Sequence, residues 1–167
     1  MEITQDILLA ACNLLKGYFS VDCSVKSTEV LSEPTRRNVI LRLHLESVPG
    51  TAPSTVILKQ SLREEGDNDD KDAYARFARD WAGLQFLNQF ETYGHVIPKF
   101  YGGNQALRFI LQEDLGFKHV SLVDALTGKN KKEAIAALNR FIHALGSMHA
   151  ASFGHIGFYR ISSPNWQ

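Results

Sequence analysis

The sequence predicts an α+β fold, in which an antiparallel sheet carries a packed helix and is followed by the beginning of a helical region. Apolar residues alternate over residues 38–45, and an apolar, β-branched run occupies residues 55–58, which is typical of strands. Turn-forming residues, among them Pro49-Gly50, separate the strand segments and favour an antiparallel meander. Apolar residues at three- and four-residue spacing predict helices over residues 72–90 and 131–152.

Composition bounds the class of protein. The chain has 167 residues and 44% hydrophobic content, enough to bury a core as one domain or two small subdomains. Its 18 Lys+Arg balance 18 Asp+Glu, so the basic surface that nucleic-acid binding needs is missing. Cys12 and Cys23 fit neither a disulfide framework nor a Cys-x-x-Cys metal site. Without a signal peptide or a membrane-length apolar run, a cytoplasmic protein with no membrane span is expected.

The first part of the chain predicts one helix and the first strand of the meander. The helix is expected over residues 3–18, with Thr4 as its N-terminal cap and Gly17 as its end. A first strand is expected over residues 25–31, and the turn at 32–37 connects it to the next strand.

The middle of the chain predicts a loop and two further strands. The acidic run at 63–72 contains Asp-x-Asp but lacks the remaining ligands of a calcium loop, so a solvated loop is expected. Residues 96–103 predict a short strand that ends at a Gly-Gly turn, and residues 107–111 predict the next strand. A short helix over 121–126 follows, and Asn130 is expected to cap the last helix.

Two charged residues interrupt apolar patterns. Lys59 follows directly on the apolar strand Thr55 to Leu58, and such a lysine either extends its ammonium to water or meets an anion in a cleft. Asp80 falls within the apolar arc of its predicted helix, where a carboxylate is costly unless it finds a cation or water. Two interpretations follow: both side chains reach solvent independently, or they meet across a strand–helix contact.

The order of motifs resembles a known family. The chain presents a strand ending V-I-L-K, a helix F-A-R-D-W-A-G-L-Q-F-L, then V-I-P-K-F-Y-G-G, F-I-L-Q-E-D-L-G and L-G-S-M-H-A-A-S. This set is similar to the N-terminal lobe and the start of the C-terminal lobe of the aminoglycoside phosphotransferase/choline kinase-like family, small-molecule kinases with a protein-kinase-like fold. The resemblance spans residues 25–153 and implies a kinase-like lobe over 1–115 and an incomplete helical lobe over 116–167.

The resemblance implies a set of nucleotide-binding residues: Asn38, Lys59, Asp80, Gln112, Glu113, Asp114 and Leu115. Lys59 matches the strand lysine that holds the α- and β-phosphates of ATP, and Asp80 stands where an acid pairs with that lysine. Residues 112–115 match the hinge segment, whose backbone groups meet the adenine edge. Asn38 matches a polar position after the nucleotide-covering loop, although that loop lacks glycine here.

The family's catalytic His-x-Asp is missing. The residues two positions after the six histidines are Glu46, Ile97, Ser121, Leu145, Ala151 and Gly157. The resemblance therefore implies no catalytic residue and no metal ligand in this chain, weak or vestigial ATP binding, and magnesium only in a full-length relative. The chain is expected to be a fragment of a longer kinase or a naturally short relative, with negligible phosphoryl transfer alone.

Three functional interpretations stay open. The first is the ATP-binding lobe of a small-molecule phosphotransferase, incompetent alone; intact Lys59 and the hinge segment favour it. The second is a non-enzymatic interaction module that retains the lobe's shape, favoured by the glycine-free loop and Asp80. The third is an unrelated α+β domain. Because few residues follow the last helix, its apolar side is expected to meet a missing C-terminal lobe or another copy of the chain.

Overall fold

The structure, a computed structural model, describes residues 4–33, 38–46, 48, 50–62, 70–90, 97–117, 121–155 and 157. The first described element is helix α1, and the other described elements follow it in an α+β arrangement. In chain order they are α1 Gln5–Phe19, β1 Ser24–Val30, β2 Asn38–Glu46, β3 Thr55–Ser61, α2 Asp70–Leu87, β4 Phe100–Asn104, β5 Phe109–Glu113, α3 Leu122–Thr127 and α4 Lys131–Ser152. The predicted acidic loop at 63–72 lies largely outside the described residues, as do the last four residues of the 32–37 turn.

The described strands form one antiparallel sheet in the order β1-β2-β3-β5-β4. The α+β class and the antiparallel meander are therefore confirmed. β5 lies beside β3, and β4 takes the edge, so the end of β5 lies near the middle of the sheet.

One face of the sheet holds the larger apolar core. Leu41, Leu58 and Leu111 are paired in register across β2, β3 and β5, so their side chains point to the same side. All three are at most 1% exposed. The α1 residues Ile7 and Leu15 pack into the same cluster, because they recur on one face of the helix. α1 therefore covers this face.

The opposite face packs against α2. Ile110 of β5 forms a buried cluster with Phe77 and Ala78 of α2, and Trp81 packs against its edge. Ile110 neighbours Leu111 in the strand, so it points to the other side of the sheet. The sheet thus lies between α1 and α2, and any charged residue in register with Ile110 lies on the α2 face.

The predicted α2 (72–90) and β5 (107–111) are each displaced by two or three residues in the structure. The two ends that were predicted at glycines were wrong for a structural reason. α1 continues through Gly17 to Phe19, where Ser20 adopts a left-handed conformation at φ 58° and its N–H donates to the Lys16 carbonyl. Gly102 and Gly103 lie inside β4 instead of ending it. They let helices approach both faces: Leu14 of α1 lies beside Gly102, and Trp81 of α2 lies beside Gly103.

The Gly103→Ala substitution is expected to lower the free energy of unfolding by on the order of 1–3 kcal/mol, the usual effect of overpacking. A Cβ there would lie 2.5 Å from Cζ3 of Trp81 and 2.6 Å from the carbonyl oxygen of Phe109. Urea denaturation measures the change. Gly146→Ala in α4 is the control, because nothing lies within 4 Å of its added Cβ. Equal midpoints for the two variants would contradict close packing at Gly103.

α3 and α4 pack on each other. The Asn130 side chain accepts from the N–H groups of Lys132 and Glu133, so the predicted cap and bounds of α4 are confirmed. The Ser121 hydroxyl accepts from the Val123 N–H at the start of α3. Thr4 takes the N-cap position of α1 as predicted, but its side chain makes no capping hydrogen bond. α4 exposes an apolar stripe, here called the α4 stripe: Ile135, Leu138, Phe141, Ile142 and Leu145. None of the described helices is long and apolar enough to cross a membrane.

Candidate functional site

Lys59 and Asp80 meet across the contact between the sheet and α2. The Lys59 Nζ lies 2.7 Å from Oδ2 of Asp80, and the two side chains are 26% and 37% exposed. The predicted strand–helix contact is therefore confirmed, and the interpretation in which each side chain reaches solvent independently is wrong. Both groups also keep access to solvent, so the ammonium can meet a second anion without leaving its carboxylate.

Local packing explains why this pair forms. Lys59 is paired with Ile110 across β3 and β5, so the two side chains share the α2 face. Ile110 packs against Phe77, and Asp80 follows Phe77 by three residues, which places both on one side of the helix. Because Phe77 holds α2 against Ile110, Asp80 is brought to the neighbouring Lys59.

A second charged group lies on the same face, one step along the strands. Arg42 is paired with Ile57, two residues from Lys59 in β3, and Ile57 is paired in turn with Gln112 of β5. Arg42 therefore shares a row with Gln112, whereas Lys59 lies in the next row. Asp114 follows Gln112 by two residues, beyond the end of β5. Arg42 thus lies between the lysine and the residues that follow β5.

The Arg42 guanidinium makes an ion-pair network that the sequence analysis missed. Its Nε lies 2.6 Å and its Nη2 3.3 Å from the two carboxylate oxygens of Asp114, and its Nη1 lies 2.8 Å from Oε2 of Glu29. The Arg42 and Asp114 side chains are 5% and 6% exposed, whereas Glu29 is 44% exposed. Such bidentate contact is the strongest geometry for an arginine–carboxylate pair. The sequence signal was an arginine in the middle of the predicted strand, between the apolar residues Leu41 and Leu43.

Asp114 is held as an anion by several donors. Burial acts to raise the pKa of Asp114, but hydrogen bonds from Arg42, from the Gly116 N–H and from the Thr55 hydroxyl outweigh burial and keep the pKa below its usual value. The Gly116 N–H lies 2.9 Å from Oδ1, which closes a turn directly after β5. The Arg42 guanidinium also lies over the Phe117 ring, 3.8 Å from its centroid.

The remaining predicted residues have identifiable places. Asn38 begins β2, and its Oδ1 accepts a hydrogen bond from the hydroxyl of the buried Ser61, with which it is paired. Gln112 and Glu113 end β5, and the Glu113 N–H donates to the Lys99 carbonyl. Leu115 is 51% exposed.

The structure does not gather the predicted residues into one cluster. Lys59 and Asp80 meet between β3 and α2. Residues 112–115 lie at and beyond the end of β5, and Asn38 lies at the start of β2. Asp114 lies four residues beyond Ile110, the partner of Lys59, so Lys59 and Asp114 are on the order of 13 Å apart along the strands at ~3.3 Å per residue.

Within the described ranges, no group of three or more His, Cys, Asp and Glu side chains is arranged to hold a metal ion. No protein-family model matches the sequence, and no curated protein matches it significantly.

Proposed function

We propose that this chain is the ATP-binding lobe of a small-molecule phosphotransferase of the aminoglycoside phosphotransferase/choline kinase-like kind, inactive alone. The observation that carries the proposal is the Lys59–Asp80 ion pair, 2.7 Å between Nζ and Oδ2, on the α2 face of an antiparallel sheet. The carboxylate keeps the ammonium charged and aimed, which is the role such a pair has beside nucleotide phosphates. Aspartate is a methylene shorter than the usual glutamate, and the distance shows that it still reaches the lysine.

The arrangement of the face suits a nucleotide. Lys59 is about a quarter exposed, so its ammonium can approach phosphate oxygens from solvent. The segment after β5 lies on the order of 13 Å farther along the strands. A nucleotide with its phosphates at Lys59 and its base at this segment can span that separation. The chemistry that ATP would bring is a transferable phosphoryl group, whereas these residues bind and orient.

The contacts of the hinge segment narrow how a base would be held. The Glu113 N–H is occupied by the Lys99 carbonyl, so it is not a free donor for adenine. Leu115 is half-exposed and lies immediately beyond. The backbone of Leu115 is therefore the proposed contact for the adenine edge. The Asp114 carboxylate accepts hydrogen bonds from Arg42 and from the Gly116 N–H, so its proposed role is to hold the turn and not to contact the ligand.

Binding of ATP tests the proposal. Calorimetric titration of the wild-type chain with ATP and magnesium is expected to show weak binding, and Lys59→Met is expected to weaken it at least about tenfold, a loss of roughly 1.4 kcal/mol. Because the pair is partly exposed, the free energy of unfolding should change by only about 1 kcal/mol. Lost binding then reports the missing ammonium and not an unfolded protein. Asp80→Asn should weaken binding less, since the lysine remains.

Lys26→Met is the matched control, because Lys26 is an exposed strand lysine on β1. It is expected to bind ATP as the wild type does. Equal ATP binding by the wild type and Lys59→Met would sink the proposal, as would a wild type that binds neither ATP nor tripolyphosphate. The second outcome would favour a non-enzymatic interaction module, for which the exposed α4 stripe is the supporting observation.

A further inference from the structure

We propose that Arg42 is a positioning residue that fixes residues 114–117 in the conformation that meets the nucleotide base. The inference rests on the proposed function for the identity of the ligand, and on the ion-pair network for the positioning itself. Residues 114–117 form what we call the exit turn, because they follow directly on the end of β5.

Arg42 holds the first residue of the exit turn from the strand two positions away in the sheet. Two of its N–H groups donate to the Asp114 carboxylate, and a third donates to Glu29. The guanidinium fork constrains the carboxylate in orientation as well as distance, because both contacts must be made in one plane. The Asp114 side chain, and with it the start of the turn, therefore has one favoured placement over the sheet.

The same carboxylate sets the backbone of the exit turn. Oδ1 of Asp114 accepts from the Gly116 N–H at 2.9 Å, and Gly116 has φ 73°, a left-handed conformation that glycine adopts without strain. Because Arg42 holds this carboxylate in place, it holds the Gly116 backbone through one shared oxygen atom.

Arg42 also contacts the last residue of the exit turn. The Phe117 ring covers the guanidinium with 3.8 Å from its carbon to the ring centroid, although Phe117 is 77% exposed. Because the Phe117 ring is mostly exposed, its placement depends on the cation–π contact with Arg42 more than on burial. Asp114 and Phe117 thus both contact one side chain, and the half-exposed Leu115 lies between them in the chain.

The presence of a buried arginine–carboxylate pair does not by itself show that the pair stabilises the fold. Replacing such a pair with apolar residues of similar volume often leaves the free energy of unfolding unchanged or raises it. Two readouts separate positioning from stability. The first is hydrogen exchange of the Gly116 amide, whose N–H donates to Oδ1 of Asp114. The second compares ligands that contact different ends of the site: adenosine for the exit turn, tripolyphosphate for Lys59, and ATP for both.

The experiment uses the full chain and the variant Arg42→Met. Exchange at Gly116 is expected to rise about tenfold or more, as local opening becomes easier, with smaller changes elsewhere in the sheet. Binding of adenosine and ATP is expected to weaken about tenfold, whereas tripolyphosphate binding should stay within about twofold. Lys59→Met should show the converse: binding of tripolyphosphate and ATP should weaken, whereas adenosine binding should change least. Arg140→Met, on an exposed arginine of α4, is the control and should change neither readout.

Two milder variants keep the test decisive if Arg42→Met fails to fold. Arg42→Lys retains the charge but not the bidentate fork, and Phe117→Leu removes only the stacked ring; each is expected to give a smaller change in the same direction. Unchanged Gly116 exchange in the folded Arg42 variants would overturn the inference. So would equal losses of adenosine and tripolyphosphate binding. A wild type that binds no nucleotide would refute the proposed function instead, and Gly116 exchange would still decide whether Arg42 fixes the turn.

Discussion

Replacing Phe77 with alanine is expected to lower the free energy of unfolding by about 3–5 kcal/mol, the range for a fully buried phenylalanine. Phe77 is 1% exposed and joins α2 to Ile110 of the sheet. Its ring also contacts Trp81 edge-on, with centroids 5.6 Å apart. The substitution leaves a cavity between helix and sheet that the surrounding residues are expected to fill only in part. Urea denaturation followed by circular dichroism measures the loss.

The Phe77→Ala effect should extend to the site. Asp80 lies one turn beyond Phe77, so loosening α2 is expected to separate the Asp80 carboxylate from Lys59 and weaken ATP binding as well. Phe153→Ala is the matched control, because Phe153 is 87% exposed and its loss should change stability by no more than about 0.5 kcal/mol. Similar losses for the two variants would contradict the placement of Phe77 in the core between α2 and the sheet.

Asp114→Asn is expected to lower the free energy of unfolding at neutral pH by about 2 kcal/mol, less than the full effect of breaking a buried pair, because Glu29 remains to pair with Arg42. The difference in the free energy of unfolding between the wild type and Asp114→Asn should shrink as the pH falls. The pKa of Asp114 lies below its usual value of 3.8 in the folded state, because hydrogen bonds from Arg42, Gly116 and Thr55 outweigh the effect of burial.

A carboxyl whose folded pKa is depressed stabilises the protein fully above its unfolded pKa, and this stabilisation is lost as the pH falls through the folded pKa. The wild type and Asp114→Asn should therefore differ by a constant amount above about pH 5 and converge as the pH falls below 3.8. Urea midpoints measured between pH 7 and pH 3 test this. Asp22→Asn is the control, since that side chain is 86% exposed and pairs with Lys16, a lysine that is itself 62% exposed. A gap that widened on acidification would contradict the assignment of Asp114 as a stabilising anion.

The sequence by itself determined the elements whose pattern is local. Alternation over residues 38–45 predicted β2, and helical spacing with an asparagine cap predicted α4 with its observed bounds. Helical geometry also placed Asp80 on the side of α2 that faces the sheet, because 100° per residue is fixed by the backbone. Since Lys59 follows the apolar run of β3, the strand that precedes α2, a contact between Lys59 and Asp80 could be expected and was found.

Only the tertiary structure decided the contacts that depend on strand order. Arg42 and Asp114 are 72 residues apart, and they meet because β5 lies beside β3 and ends beyond the row of Arg42. No local pattern specifies which strands are neighbours, so neither this ion pair nor the Phe117 stack could be derived from residue spacing. The Gly102–Gly103 pair was assigned to a turn for the same reason. Gly102 and Gly103 allow α1 and α2 to pack closely on opposite faces of the sheet. Residue spacing does not specify that packing.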